Sequence, residues 1–88
     1  MIVLNKGFDN VYSGLTITFD NGYSINIQFG IGNYCENRSE SKNKSKNVEV
    51  SIFDKDDIFY RLEGMTDDVK GYVQMDELAD IIQQVKNL

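Results

Sequence analysis

The chain has no histidine and a single cysteine, Cys35, and these two shortages exclude more chemistry than anything present establishes. Without histidine, no side chain titrates near neutrality at its ordinary pKa, and Ser-His-Asp and Cys-His catalysis are both lost. One cysteine cannot close an intrachain disulfide, and no zinc site can be assembled from Cys and His. A lone cysteine reads as a small buried hydrophobe. A reactive thiol would need a cationic neighbour, and the nearest in sequence is Arg38. Long apolar runs are missing as well: the longest, Met1 to Leu4, is far too short for a signal core or a membrane span. The sequence therefore reads as that of an intracellular, cytoplasmic protein without membrane contact.

Basic charge is also scarce. The chain carries 9 lysines and arginines against 14 acids, a net charge of -5. That balance opposes stable binding of DNA, RNA or anionic membranes, which require a cationic excess. The distribution is uneven: Asn33 to Asn47 holds Arg38, Lys42, Lys44 and Lys46 against Glu36 and Glu40, which is +2 and leaves -7 elsewhere. One segment can face an anion while the other surfaces repel it.

What remains in 88 residues is a single domain, 1–88, with ordinary globular composition. Leu15, Ile17 and Phe19 alternate with threonines, and Tyr23, Ile25, Ile27 and Phe29 alternate with Ser24, Asn26 and Gln28, the period of half-buried strands. Between them stands Asp20-Asn21-Gly22. A two-residue loop would put the two apolar stripes on opposite faces. A three-residue loop pairs Phe19 with Tyr23, Ile17 with Ile25 and Leu15 with Ile27, and needs Gly22 in the left-handed region, which predicts a type I turn with a glycine bulge. Val48, Val50 and Ile52 predict a third strand. Ile58, Tyr60 and Leu62 predict a fourth, joined to it by the polar turn Asp54 to Asp57. Met1 to Leu4 reads as an edge strand, Val69 to Val73 as a short extended piece, and Gly64 to Asp68 as an irregular connection. From Met75 the period changes: Leu78, Ile81, Ile82 and Val85 lie on one helical stripe, with Asp76 and Glu77 in the first turn and Lys86 in the last. The expectation is an α+β fold, a small antiparallel meander sheet of four to five strands with one C-terminal helix packed on its apolar face. Residues 36–47, with little to bury, predict a mobile polar loop.

The residues best placed to bind a ligand follow the second strand. In Gly30-Ile31-Gly32-Asn33-Tyr34-Cys35-Glu36-Asn37-Arg38, Gly30 and Gly32 let the backbone bend and bring amides near a ligand. Asn33, Tyr34, Asn37 and Arg38 supply side-chain donors and one stackable ring. That combination suits a phosphate or nucleotide. It lacks the third glycine of a dinucleotide fold and the Gly-Lys-Ser/Thr end of a P-loop, and the alternative is a glycine-rich exit with Tyr34 packed on the core. Asp54-Lys55-Asp56-Asp57 opens like a calcium loop, but Phe59 stands where glycine is required. The other face of the sheet carries Thr16, Thr18, Ser24, Asn26, Gln28, Glu49 and Ser51, with Phe53 and Phe59 at one end: a solvated face, or one covered by a second copy or another protein.

The string from Phe19 to Arg38, with the pattern F-x-N-G-x-x-I-x-I-Q-F-G-x-G-N-Y-C-x-N, resembles a small uncharacterised family of bacteriophage and prophage proteins. Val48 to Asp54, Val69 to Val73 and the final helix are similar too, while Met1 to Tyr12 and Ile31 depart from the pattern. A phage origin favours, by analogy, a non-enzymatic protein that blocks or soaks up a host component. Joined to the loop composition and to the small area an 88-residue chain can bury, it gives the expectation of a homo-oligomeric binding protein in the cytoplasm of an infected host, antagonising host defence by sequestering an anionic nucleotide signal through Gly30 to Arg38. The alternative partner is a host protein: the acidic surface would occupy the nucleic-acid channel of a defence protein. No cofactor and no metal is expected, and no catalytic residue stands out.

Overall fold

In the computed structural model, which describes residues 1–40 and 42–88, the alternating segments form one five-stranded antiparallel sheet in the order β1-β2-β3-β4-β5. The strands are β1 (Ile2–Lys6), β2 (Tyr12–Thr18), β3 (Ser24–Gln28), β4 (Asn47–Phe53) and β5 (Val69–Gln74), and helix α1 follows directly over Met75–Lys86. The β2–β3 register is the one the stripes require, with Leu15 opposite Ile27 and Ile17 opposite Ile25. Its turn closes through Phe19 N–H to Tyr23 C=O at 2.9 Å and Gly22 N–H to Phe19 C=O at 3.0 Å, with Gly22 at φ 86°. The same geometry recurs twice. Gly7, Asn10 and Val11 repeat it between β1 and β2, and Asp54, Asp57 and Ile58 repeat it after β4, with Asn10 and Asp57 at φ 64° and 61°.

The fourth strand expected over Ile58 to Leu62 does not form. The chain returns from the Asp54–Asp57 turn beside β4 and makes one bridge, Phe59 to Phe53, with Tyr60 N–H donating to Ile52 C=O at 2.8 Å. There it meets the end of β5, which pairs with the same edge of β4 from Asn47 to Ser51. Two segments compete for one row of main-chain groups, and the longer takes most of it. The displaced segment turns inward instead: Leu62 is buried in the core and the Tyr60 ring meets Tyr23 edge-on at 5.3 Å.

Ile25, Val50, Ile52 and Val73 from the sheet and Ile81 and Val85 from the helix are fully or almost fully buried. Each such side chain contributes about 1.5–3 kcal/mol by leaving water. The helix packs on β3, β4 and β5. A helix about 10 Å across spans only two or three strands set about 4.8 Å apart. The same face of β1 and β2 lies beyond it, and Ile2 and Leu4 stay 64% and 60% exposed. No helix among the described residues is long and apolar enough to cross a membrane.

The helix C-terminus is tied to the β2–β3 turn. Asn21 Nδ2 donates to Val85 C=O at 2.9 Å while its Oδ1 accepts from Tyr23 N–H at 3.0 Å, so one amide closes the turn and satisfies a terminal carbonyl of α1. Asn21→Ala is expected to lower unfolding free energy by about 1–2 kcal/mol, read from urea denaturation, because both bonds go at once.

Candidate functional site

The chain leaves β3 through Gly30 and Gly32, both left-handed at φ 86° and 81°, and then folds on itself. Asn33 N–H donates to Gly30 C=O at 3.2 Å, Cys35 N–H to Asn33 C=O at 2.9 Å, Arg38 N–H to Cys35 C=O at 3.2 Å and Gly32 N–H to Arg38 C=O at 2.9 Å. Gly30 N–H points at the Cys35 sulfur, 3.2 Å away. Cys35 is 1% exposed, a buried pivot of the loop. Asn33 Nδ2 donates to Phe29 C=O at 2.9 Å, and Asn37 Nδ2 donates to Lys44 C=O. Glu36 N–H reaches Asn47 Oδ1 at 2.7 Å, and Lys46 N–H returns to Glu36 Oε1 at 2.8 Å, which fastens 36–40 to the start of β4.

This arrangement corrects the expected anion cradle. The main-chain donors of Gly30, Gly32 and Asn33 are engaged inside the loop, and the Asn33 and Asn37 side chains are buried on loop carbonyls. The reason is general: a segment leaving a sheet loses its ladder partners and must satisfy its donors some other way. Of the six expected site residues, only Tyr34 and Arg38 offer side-chain groups to solvent, with the guanidinium carbon 4.7 Å from the ring centroid. Tyr34 does not pack on the core either.

The Tyr34 main chain fixes this pair to the sheet. Its C=O accepts from Tyr72 N–H at 2.8 Å, and its N–H side lies near enough to the Glu49 carboxylate to favour the charged form. The docking point is a bulge in β5: Val48 pairs with Val73 and Val50 with Lys70, which leaves Gly71 and Tyr72 opposite Glu49. A Cβ on Gly71 would stand 2.5 Å from Tyr34 Cβ, so the close approach requires glycine. Neither the bulge nor its contact with Tyr34 has a local sequence signal; only the isolated Gly71 hints at it.

The loop thereby meets the polar face of the sheet. Thr16, Asn26 and Ser51 form a cross-strand row, with Gln28 beside Glu49. Thr16 Oγ1 accepts from Asn5 Nδ2 at 2.9 Å and from Asn26 Nδ2 at 3.3 Å. Asn26, Gln28, Glu49, Ser51, Phe59 and Val69 line a concavity of about 140 Å³. The Phe59 ring is steadied by Phe53, with centroids 4.6 Å apart. Burial raises the Glu49 carboxyl above its ordinary value of 4.5, opposed by the Tyr34 N–H and the Arg38 charge. Sequence reasoning found the polar face but did not join it to the loop. Among the described residues, no group of three or more His, Cys, Asp or Glu is placed to hold a metal ion.

A carboxyl raised on folding binds protons more tightly in the native state than in the unfolded one. Its favourable contribution is complete below the ordinary value of 4.5 and is lost as pH rises through the elevated native value. Glu49→Gln keeps an acceptor for Tyr34 N–H and removes the charge. The variant is expected to melt higher than the parent near neutrality and to converge with it below pH 4.5, in thermal melts across a pH series.

No protein-family model matches the chain, and no curated protein and no solved structure was found similar to it.

Proposed function

We propose that the protein is a non-enzymatic binding protein that takes up a nucleotide, with the base in the polar-face concavity and the phosphate at Arg38. The observation that carries this reading is the junction at Glu49: an uncharged hydrogen-bonding row and an aromatic wall on one side, and a solvent-facing guanidinium stacked on tyrosine on the other. Gln28 and Ser51 supply donors and acceptors for a heterocycle edge, Glu49 accepts from a ring N–H or amino group, and Phe59 offers a flat apolar contact. The concavity is smaller than the roughly 300–1,000 Å³ of pockets that enclose a whole ligand, so the sugar and phosphate would stay at the surface. The net charge of -5 disfavours polyanions and leaves a small anion as the ligand. The phage resemblance supports a nucleotide signal of host defence, captured in the cytoplasm of an infected bacterium.

Calorimetry against a panel of cyclic and linear nucleotides is expected to show binding by at least one of them. The ligand should be recovered chemically unchanged after denaturation, and Arg38→Ala should weaken binding by about tenfold or more, as loss of a charge-assisted hydrogen bond does. No heat with any nucleotide at millimolar concentration overturns the reading, and a hydrolysed product overturns its non-enzymatic part.

A second reading, an acidic inhibitor of a nucleic-acid-binding host protein, is favoured by the end of the sheet where two turns converge. A Cβ on Gly22 would lie 3.0 Å from Lys55 Cβ, which places Asp20 and the Asp54–Asp57 turn side by side at the C-terminal end of α1. Asp54 is not a useful probe, since its Oδ1 accepts from Asp56 and Ile58 N–H at 2.8 and 3.1 Å and builds the turn. Reversal of Asp20 and Asp56 to lysine is expected to abolish a salt-sensitive protein complex on this reading and to leave nucleotide binding intact on the first, measured by pull-down and calorimetry on the same variant.

A further inference from the structure

The open edge of β1 carries an inference independent of the nucleotide reading. Met1 and Thr18 exchange main-chain bonds at 2.8 and 3.0 Å, so by antiparallel alternation Val3 and Asn5 bond to β2 while the N–H and C=O groups of Ile2 and Leu4 point away from the sheet. Among the described residues, no strand lies on that side. The side chains of Ile2 and Leu4 share the apolar face with Leu15 and Ile17 but lie beyond the reach of α1, and Val3, on the polar face, is 48% exposed. Proteins that stay monomeric blunt such edges with charge, proline or a bulge. Here the irregularity begins only after Asn5, the first charged side chain is Lys6, and there is no proline.

We propose that β1 is a homodimer interface, two copies pairing their β1 strands antiparallel about a two-fold axis at Val3 to make one sheet continuous through both. The register follows from which groups point outward. Ile2 of one copy opposite Leu4 of the other uses the free main-chain groups of both, and Val3 faces Val3 at a non-hydrogen-bonded position, where Cα atoms approach to about 4.5 Å. Ile2-Val3-Leu4 is apolar throughout and reads alike in either direction, as an isologous contact requires. On the apolar face, Ile2 and Leu4 of the two copies become cross-strand neighbours. Charge favours a second copy as the occupant. In a chain of net charge -5, the first 19 residues hold only Lys6 and Asp9, so two copies of this segment meet without the repulsion of excess acids.

Sedimentation across a concentration series is expected to give a dimer mass, with a melting temperature that rises with concentration. Val3→Lys sets two cations across the axis and is expected to give a monomer with an unchanged far-ultraviolet spectrum. Val3→Cys is expected to form an intermolecular disulfide under mild oxidation, since the spacing at a non-hydrogen-bonded pair suits one, while Ala79→Cys on the exposed face of α1 forms none. Cys35 is buried and does not compete. Should Val3→Lys fail to fold, cross-linking of Val3→Cys decides alone. A wild-type monomer up to the solubility limit, a dimer that survives Val3→Lys, or a Val3→Cys protein that does not cross-link each overturns the proposal, as does a monomeric β1 that pairs only with a strand of another protein.

Discussion

The apolar face of the sheet is wider than the helix that covers it, and most of the molecule follows from that mismatch. Helix α1 seals β3, β4 and β5, where the fully buried side chains lie, and leaves β1 and the adjoining side of β2 without a second layer. Among the described residues no further element extends the cover. The sheet is thus covered over three strands, partly buried along β2, and exposed at β1. The return segment after β4 is drawn into the covered half, where Leu62 joins the core cluster with Ile81 and Val85 of α1. Among the described residues, the uncovered half keeps the outward-facing main-chain groups of Ile2 and Leu4 without a strand partner, beside exposed apolar side chains.

A second constraint acts at the opposite end from the acidic turns. The chain from Gly30 to Asn47 leaves the sheet with main-chain groups to satisfy and almost no apolar side chain to bury, and polar side chains take up several of those groups: a cysteine sulfur, three asparagine amides and a glutamate carboxylate. The result is a closed loop rather than a receptive one. By docking Tyr34 on the β5 bulge it brings the Arg38 charge within electrostatic reach of Glu49, which lines the concavity of the polar face. The loop, the bulge and the polar face act as one unit.

Charge separates along the strands. The converging turns with Asp20, Asp56 and Asp57 occupy one end, and the lysines of the 42–46 segment the other, beside the start of α1. Of the basic side chains near the site, Arg38 makes no ion pair within 4.0 Å among the described residues, and Lys42 is held by Glu40 at 2.8 Å. The local excess of positive charge read from the sequence is therefore partly neutralised, while Arg38 is held over the Tyr34 ring.

The sequence alone determined whatever depends on periodicity and near neighbours. The β2–β3 register followed from keeping two apolar stripes on one face, the left-handed Gly22 followed from that register, and the stripe of α1 followed from a 3.6-residue period; each is settled within about a dozen residues. The tertiary structure decided what depends on competition between distant segments. Ile58, Tyr60 and Leu62 alternate as a strand does, yet β5 holds the edge they would have used. Gly30 to Arg38 has the composition of a ligand cradle, yet the groups that satisfy its donors include Cys35 within it and Asn47 from another strand. Alternation says which face a side chain takes. It does not say which of two partners claims a main-chain hydrogen bond, because that is set by which segments reach the same edge when the chain is folded.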